Sequence, residues 1–218
     1  LIVARRRLLA WTACAAAGAL PASSAPARAD GGDVTALLTR IGRARASVTS
    51  LEGPFTQTRT IGLLAAEVRS RGTLTLVRPD RLRWELEPPD AVTFWIGPEG
   101  MAYRSAHGHG AMAETSARVA AALDDLRTLL GGDVARLRDR WQLHVVRDAA
   151  DGAEIEATPA SSAPPAGLTS LRFALAPDLV RPTRVVLEQG VRDRTQIDFG
   201  ELRVNAPVDP AKMRPPAG

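Results

Sequence analysis

Between Thr73 and Glu87 the chain alternates with a period of two: Leu74 and Leu76 share a face, and after a turn at Pro79-Asp80, Leu82, Trp84 and Leu86 oppose Arg81, Arg83, Glu85 and Glu87. Side chains of a strand point alternately to its two faces, so this pattern describes strands with one dry and one wet side, as in an antiparallel sheet. The same period starts at Leu51 with Phe55 and Gln57, and Val92, Phe94 and Ile96 lead through a Gly97–Gly100 turn into a return strand, Met101–Arg104. Further runs follow at Trp141–Arg147, Ala153–Thr158, Leu168–Leu175, Thr183–Gln189 and Thr195–Val204. Strands in unbroken succession, without intervening helices, argue against a parallel α/β fold.

Helical spacing is confined to two places. Asp33 is a good N-cap for Val34, Leu37, Leu38, Ile41 and Val48, with Arg40, Arg43 and Arg45 assigned to the polar side and an end near Ser47. Val119, Leu123, Leu126 and Leu130 recur at helical spacing after a cap at Thr115 or Ser116, Gly131-Gly132 stops them, and Asp133 can cap a short helix carrying Val134 and Leu137. Ser105–Ala113 and Pro159–Gly167, rich in small residues, read as loops. The expectation is an α+β fold: a strongly curved antiparallel sheet of about ten strands, with an N-terminal helix and a short helical insertion on the concave face.

Compartment is written at the N-terminus. Arg5, Arg6 and Arg7 precede an apolar run from Leu8 to Leu20, followed by Pro21 and Ala27-Arg28-Ala29. This is the layout of a secretory signal peptide, and the run is too short for a hydrocarbon core of roughly 30 Å. Residues 1–29 are expected to be removed near Ala29, leaving one exported domain, 30–218. Cys14, the only cysteine, falls within the removed segment, so neither a disulfide nor a thiol nucleophile is expected. Charge points the same way: four of the 28 basic residues, Arg5, Arg6, Arg7 and Arg28, precede Asp30, leaving 24 basic against 24 acidic. A balanced domain lacks the footprint of a nucleic-acid binder.

No catalytic constellation can be assembled. His107-Gly108-His109 offers two zinc ligands with only His144 elsewhere, and no G-x-S-x-G, H-E-x-x-H or phosphate-cradling loop occurs. No catalytic residue, metal or cofactor is expected, and Asp124-Asp125 reads as a solvated pair. Arg78 alone breaks its local rule, lying in register with Leu74 and Leu76. It either snorkels to water from the strand end or hydrogen-bonds carbonyls of the covering helices as a latch.

Phe55-x-Gln57-x-Arg59, the run Gly72-x-Leu74-x-Leu76-x-Arg78-Pro79-Asp80-x-Leu82-x-Trp84-x-Leu86-x-Pro88-Pro89, Gly100 with Tyr103, and Leu129-Leu130-Gly131-Gly132-Asp133 together resemble the outer-membrane lipoprotein carrier (LolA) family. The resemblance implies an incomplete β-barrel closed by a helical lid, and a non-enzymatic monomeric chaperone located in the periplasm that carries acylated lipoproteins from an inner-membrane lipoprotein-releasing ABC transporter to an outer-membrane receptor. It also implies a lipid-binding cavity, here Phe55, Leu74, Leu76, Leu82, Trp84, Leu86, Phe94, Ile96 and Tyr103 with Leu123, Leu126 and Leu130 from the lid, and Arg78 as the lid latch. Two alternatives remain: a LolA-like carrier of another lipid or glycolipid, or a periplasmic lipid or lipoprotein sensor acting on a regulatory partner.

Overall fold

The computed structural model describes residues 33–62, 66–98, 100–111, 125–130, 134–160, 168–190 and 192–215. The expected signal peptide 1–29, Leu123, the proposed caps Thr115 and Ser116, and Gly131–Asp133 lie outside the described residues.

Helix α1, Val34–Arg45, is capped by Asp33, whose carboxylate accepts from the Thr35 N–H at 2.8 Å, and it buries Leu37, Leu38, Ile41 and Arg45. Strands β1 (Ser50–Ile61), β2 (Ala66–Val77), β3 (Arg81–Leu86), β4 (Thr93–Gly97), β5 (Gly100–Ser105) and β6 (Gly108–Ala111) follow as a meander. Residues 125–130 are helical, a 3-10 turn spans Val134–Asp139, and a second meander runs β7 (Trp141–Ala149), β8 (Gly152–Pro159), β9 (Leu168–Leu175), β10 (Pro182–Gln189) and β11 (Asp193–Phe199), with β12 (Arg203–Val204) closing on β1.

All twelve strands form one antiparallel sheet in the order β6-β5-β4-β3-β2-β1-β11-β10-β9-β8-β7, with β12 beside β1. The expected strongly curved, incomplete barrel is therefore corrected. The strand path is open, with β6 and β7 at opposite ends and no pairing between them among the described residues, and the sheet is not strongly curved. Wrapping is one way to dry an apolar face; here α1, segment 125–130 and the 3-10 turn dry it instead, contributing Leu37, Ile41, Leu126, Leu129, Leu130, Val134 and Leu137 to the core.

Register explains the faces. On the dry side, Leu51 is opposite Leu76, Leu74 opposite Trp84, Leu82 opposite Ile96, Val185 opposite Phe173 and Ile155 opposite Phe173. On the wet side, opposed charges pair across strands: Arg172 with Glu156 at 2.9 Å, Arg184 with Asp198 at 2.6 Å and Arg203 with Glu52 at 2.7 Å. Such exposed pairs add little stability but fix register and keep the face soluble.

Two loop and helix expectations change. Ser105–Ala113 is not wholly a loop, because β6 pairs with β5 through Ala102–Ala111 and Arg104–His109. Asp125 is not solvated: its side chain is 1% exposed and pairs with Arg140. The neighbouring Asp124 lies outside the described residues.

Candidate functional site

The candidate site is the contact between the dry face of β1–β5 and helical segment 125–130. Phe55, Leu74, Leu76, Leu82, Trp84 and Ile96 are buried there, and Leu86, Phe94 and Tyr103 are half-buried on the same face, since Trp84 opposes Phe94 and Phe94 opposes Tyr103. The Phe55 ring lies 3.8 Å from that of Trp84, tilted by 30°, and Phe199 meets Trp84 edge-on at 6.4 Å. Leu126 and Leu130 are buried in the same cluster. The surface singled out by strand parity is thus brought together, but as a packed contact, with the leucines of segment 125–130 against the sheet.

Polar groups hold that contact shut. Arg127 Nη1 donates to the Asp80 carbonyl in the β2–β3 turn at 3.2 Å, and Asp125 pairs with Arg140 just before β7. Arg45 Nη1 donates to the Leu129 carbonyl at 2.6 Å, and Arg78 Nη1 donates to the carbonyl of Arg45. Arg78, half-buried at the end of β2, therefore acts one step behind: it fixes the end of α1, and Arg45 reaches the helical segment.

Sequence reading placed Arg45 on the polar side of α1, which the structure overturns. Leu37, Ile41 and Arg45 follow one another at four-residue intervals, so all three fall on one stripe, and Arg45 is 3% exposed. That spacing was a usable signal; the charge masked it. Burial, with the nearby Arg78 charge adding to it and Asp178 opposing, lowers the Arg45 guanidinium from its usual value to about 10. Its Nε and Nη2 are buried without a hydrogen-bond partner among the described residues.

Other features lie apart. His107 and His109 belong to the β5–β6 hairpin and His144 to β7, and no group of three or more metal-ligating residues occurs among the described residues. A cleft of about 780 Å³ opens between Val77 and Arg81 and the C-terminal segment with Pro207, Val208 and Met213.

Residues 46–215 match the family model of the outer membrane lipoprotein carrier protein LolA. Among solved structures, the chain is similar to MucB, with 15% identity, a TM-score of 0.53, and 86% of this chain matched to 64% of that one. It is similar to the MucA/MucB complex of Pseudomonas aeruginosa, with 15% identity, a TM-score of 0.50 and coverage of 84% and 60%. A third likeness is to an uncharacterized conserved protein from Thermus thermophilus, with 8% identity, a TM-score of 0.50 and coverage of 84% and 93%. The chain thus spans less than two thirds of the MucB chains it matches, and at such identities the likeness is one of fold. No curated protein matches the sequence. On the family match, which covers the whole sheet and begins just after α1, this chain belongs to the family of the outer membrane lipoprotein carrier protein LolA, a family of periplasmic, non-catalytic carriers.

Proposed function

We propose that this protein is a periplasmic carrier of acylated molecules, lipoproteins or other lipids, whose acyl chains take the place of segment 125–130 on the dry face of β1–β5. The observation that carries this reading is that a segment contributing Leu126, Leu129 and Leu130 to the core is fastened by hydrogen bonds from arginines to carbonyls, at Leu129 and at Asp80. Loading then exchanges leucine side chains for methylenes on one surface, two nearly equal burials, so a few polar contacts set the balance. Each buried methylene is worth about 0.8 kcal/mol, which is why a multi-chain lipid crosses water slowly without a partner and why a carrier must also favour letting go. A latch that stabilises the empty form performs that second task. The molecule is proposed to act as a monomer between an inner-membrane ABC transporter that releases lipoproteins and an outer-membrane receptor.

Recovering the protein and its Arg78→Leu variant from the periplasm and extracting both for lipid and lipoprotein mass spectrometry tests this. Acylated molecules should accompany the protein and be enriched on the variant, whose segment 125–130 closes less firmly. Absence of acylated material from both proteins overturns the carrier reading.

A second reading, supported by the fold likeness to MucB and to its complex with MucA, is an adaptor that binds the periplasmic part of a regulatory protein. It predicts a stoichiometric complex with a defined protein partner that forms with lipid-free protein.

A further inference from the structure

Arg45 is a charged side chain in the wrong surroundings. It occupies the last turn of α1 on the stripe of Leu37 and Ile41, beneath segment 125–130, and is 3% exposed. Among the described residues, no counter-charge lies in its hydrogen-bonding shell. One N–H goes to the neutral Leu129 carbonyl, while Nε and Nη2 have no partner among the described residues. The charges that act on it are a second guanidinium, Arg78, which opposes its own, and the carboxylate of Asp178, which favours it. That carboxylate is engaged in its own turn: Oδ1 accepts from the Val180 and Arg181 N–H groups at 3.0 and 3.1 Å, and Oδ2 from Arg181 Nε at 2.6 Å.

Two adjacent guanidiniums bonded only to carbonyls form an incomplete set. Carbonyl oxygens satisfy N–H groups but leave the net charge uncompensated, whereas a carboxylate or phosphate does both and matches the planar fork of arginine with two oxygens. The closed form cannot supply such an anion. Displacing segment 125–130 removes the Leu129 carbonyl from Arg45 and turns the guanidinium toward whatever has replaced the leucines.

Building on the carrier reading above, we propose that Arg45, backed by Arg78, is the head-group site of the acyl-binding face, and that the preferred cargo is an amphiphile with an anionic head. The acyl chains lie along Leu74, Leu82 and Trp84, and the head is held at the end of α1. The same residue then serves both states: it bonds the Leu129 carbonyl when the protein is empty and the anionic oxygens when it is loaded.

The test uses two probe pairs that differ chiefly in head charge: cis-parinaric acid against its methyl ester, read by fluorescence, and lysophosphatidylglycerol against lysophosphatidylcholine, read by displacement. The anionic member of each pair should bind the mature protein about tenfold more tightly than its partner, a preference typical of charge-assisted hydrogen bonds. In Arg45→Met that ratio should fall toward one, and Arg45→Lys, which keeps the charge without the fork, should retain part of it. Should the methionine variant fail to fold, the lysine variant and the native ratio still decide the matter. A merely structural role for Arg45 would weaken both members of a pair alike and leave the ratio unchanged, which overturns the proposal, as does equal binding of both members by the native protein. If neither probe of either pair binds, the carrier reading itself fails, an outcome distinct from loss of head-group preference.

Discussion

Arg45 carries a charge on an apolar stripe, and its protonation state is tied to folding. Its guanidinium binds a proton less tightly in the folded protein, at about 10 and below its usual value, because burial and Arg78 oppose the charge. Between those values the unfolded chain holds more protons at this site, so the folded form gains stability as pH rises through the window and gains nothing below it. The stability difference between native protein and Arg45→Met, from urea unfolding, should therefore be flat from pH 7 to 9 and shift in favour of the native protein by pH 11. Asp125 offers the opposite case, a carboxylate 1% exposed and paired with an arginine that is 41% exposed. Arg140→Ala removes the compensating charge from a buried acid and should lower stability by about 2–4 kcal/mol, read as a urea midpoint shift, with faster hydrogen exchange in segment 125–130.

At the scale of elements, the meanders depend on close approaches that few residues permit. Gly72 in β2 lies opposite both Phe55 and Leu86, and a Cβ there would run into the Glu85 carbonyl and the Phe55 ring. Gly72→Ala should therefore displace the Phe55–Trp84 pair and cost about 1–3 kcal/mol in thermal or urea unfolding, the usual penalty of overpacking. The β9–β10 turn rests on Asp178. Partial burial pulls its carboxyl up, but the Arg181 and Val180 N–H groups and the Arg181 guanidinium outweigh it and hold the group below the usual carboxylate range. A lowered value stabilises the fold above the normal carboxylate pKa, and that contribution is lost as pH falls through the folded value. Asp178→Ala should cost about 1–2 kcal/mol at pH 7 and converge on the native protein below pH 3, as urea titrations at both pH values would report. Strand parity was readable at this scale because period two survives any tertiary context, and the N-cap at Asp33 was readable because it is local. The pairing of β6 with β5 was not, since Gly108 and Gly110 carry no side-chain signal and the strand exists only through its neighbour.

For the whole molecule, one open sheet is covered on its dry face by three small helical pieces among the described residues, and the cover is fastened unevenly. The centre of the sheet, where β1 pairs with both β2 and β11, is the least able to open, whereas the edge strand β6 pairs on one side only among the described residues. Amide hydrogen exchange should show slow exchange for Leu51–Phe55 and Leu74–Leu76 and faster exchange for the edge strand Gly108–Ala111, with Arg78→Leu accelerating the end of α1 and, through Arg45, segment 125–130. Residue order alone specified the α+β class, the antiparallel meanders, the shared dry face from Phe55 to Tyr103 and the membership carried by the Arg78-Pro79 stretch. The first three of these are set by alternation, caps and turns, whose physics is local, and the last by the motif itself. Packing in three dimensions determined the rest: that the sheet stays open rather than wrapping toward a barrel, that the dry face is filled by leucines from segment 125–130, and that Arg45 rather than Arg78 touches that segment. Sheet shape depends on how much apolar area the covering helices supply, and the partner of a buried guanidinium depends on carbonyls that are 33 and 84 residues away in the chain. Neither quantity is encoded within a window of neighbouring residues.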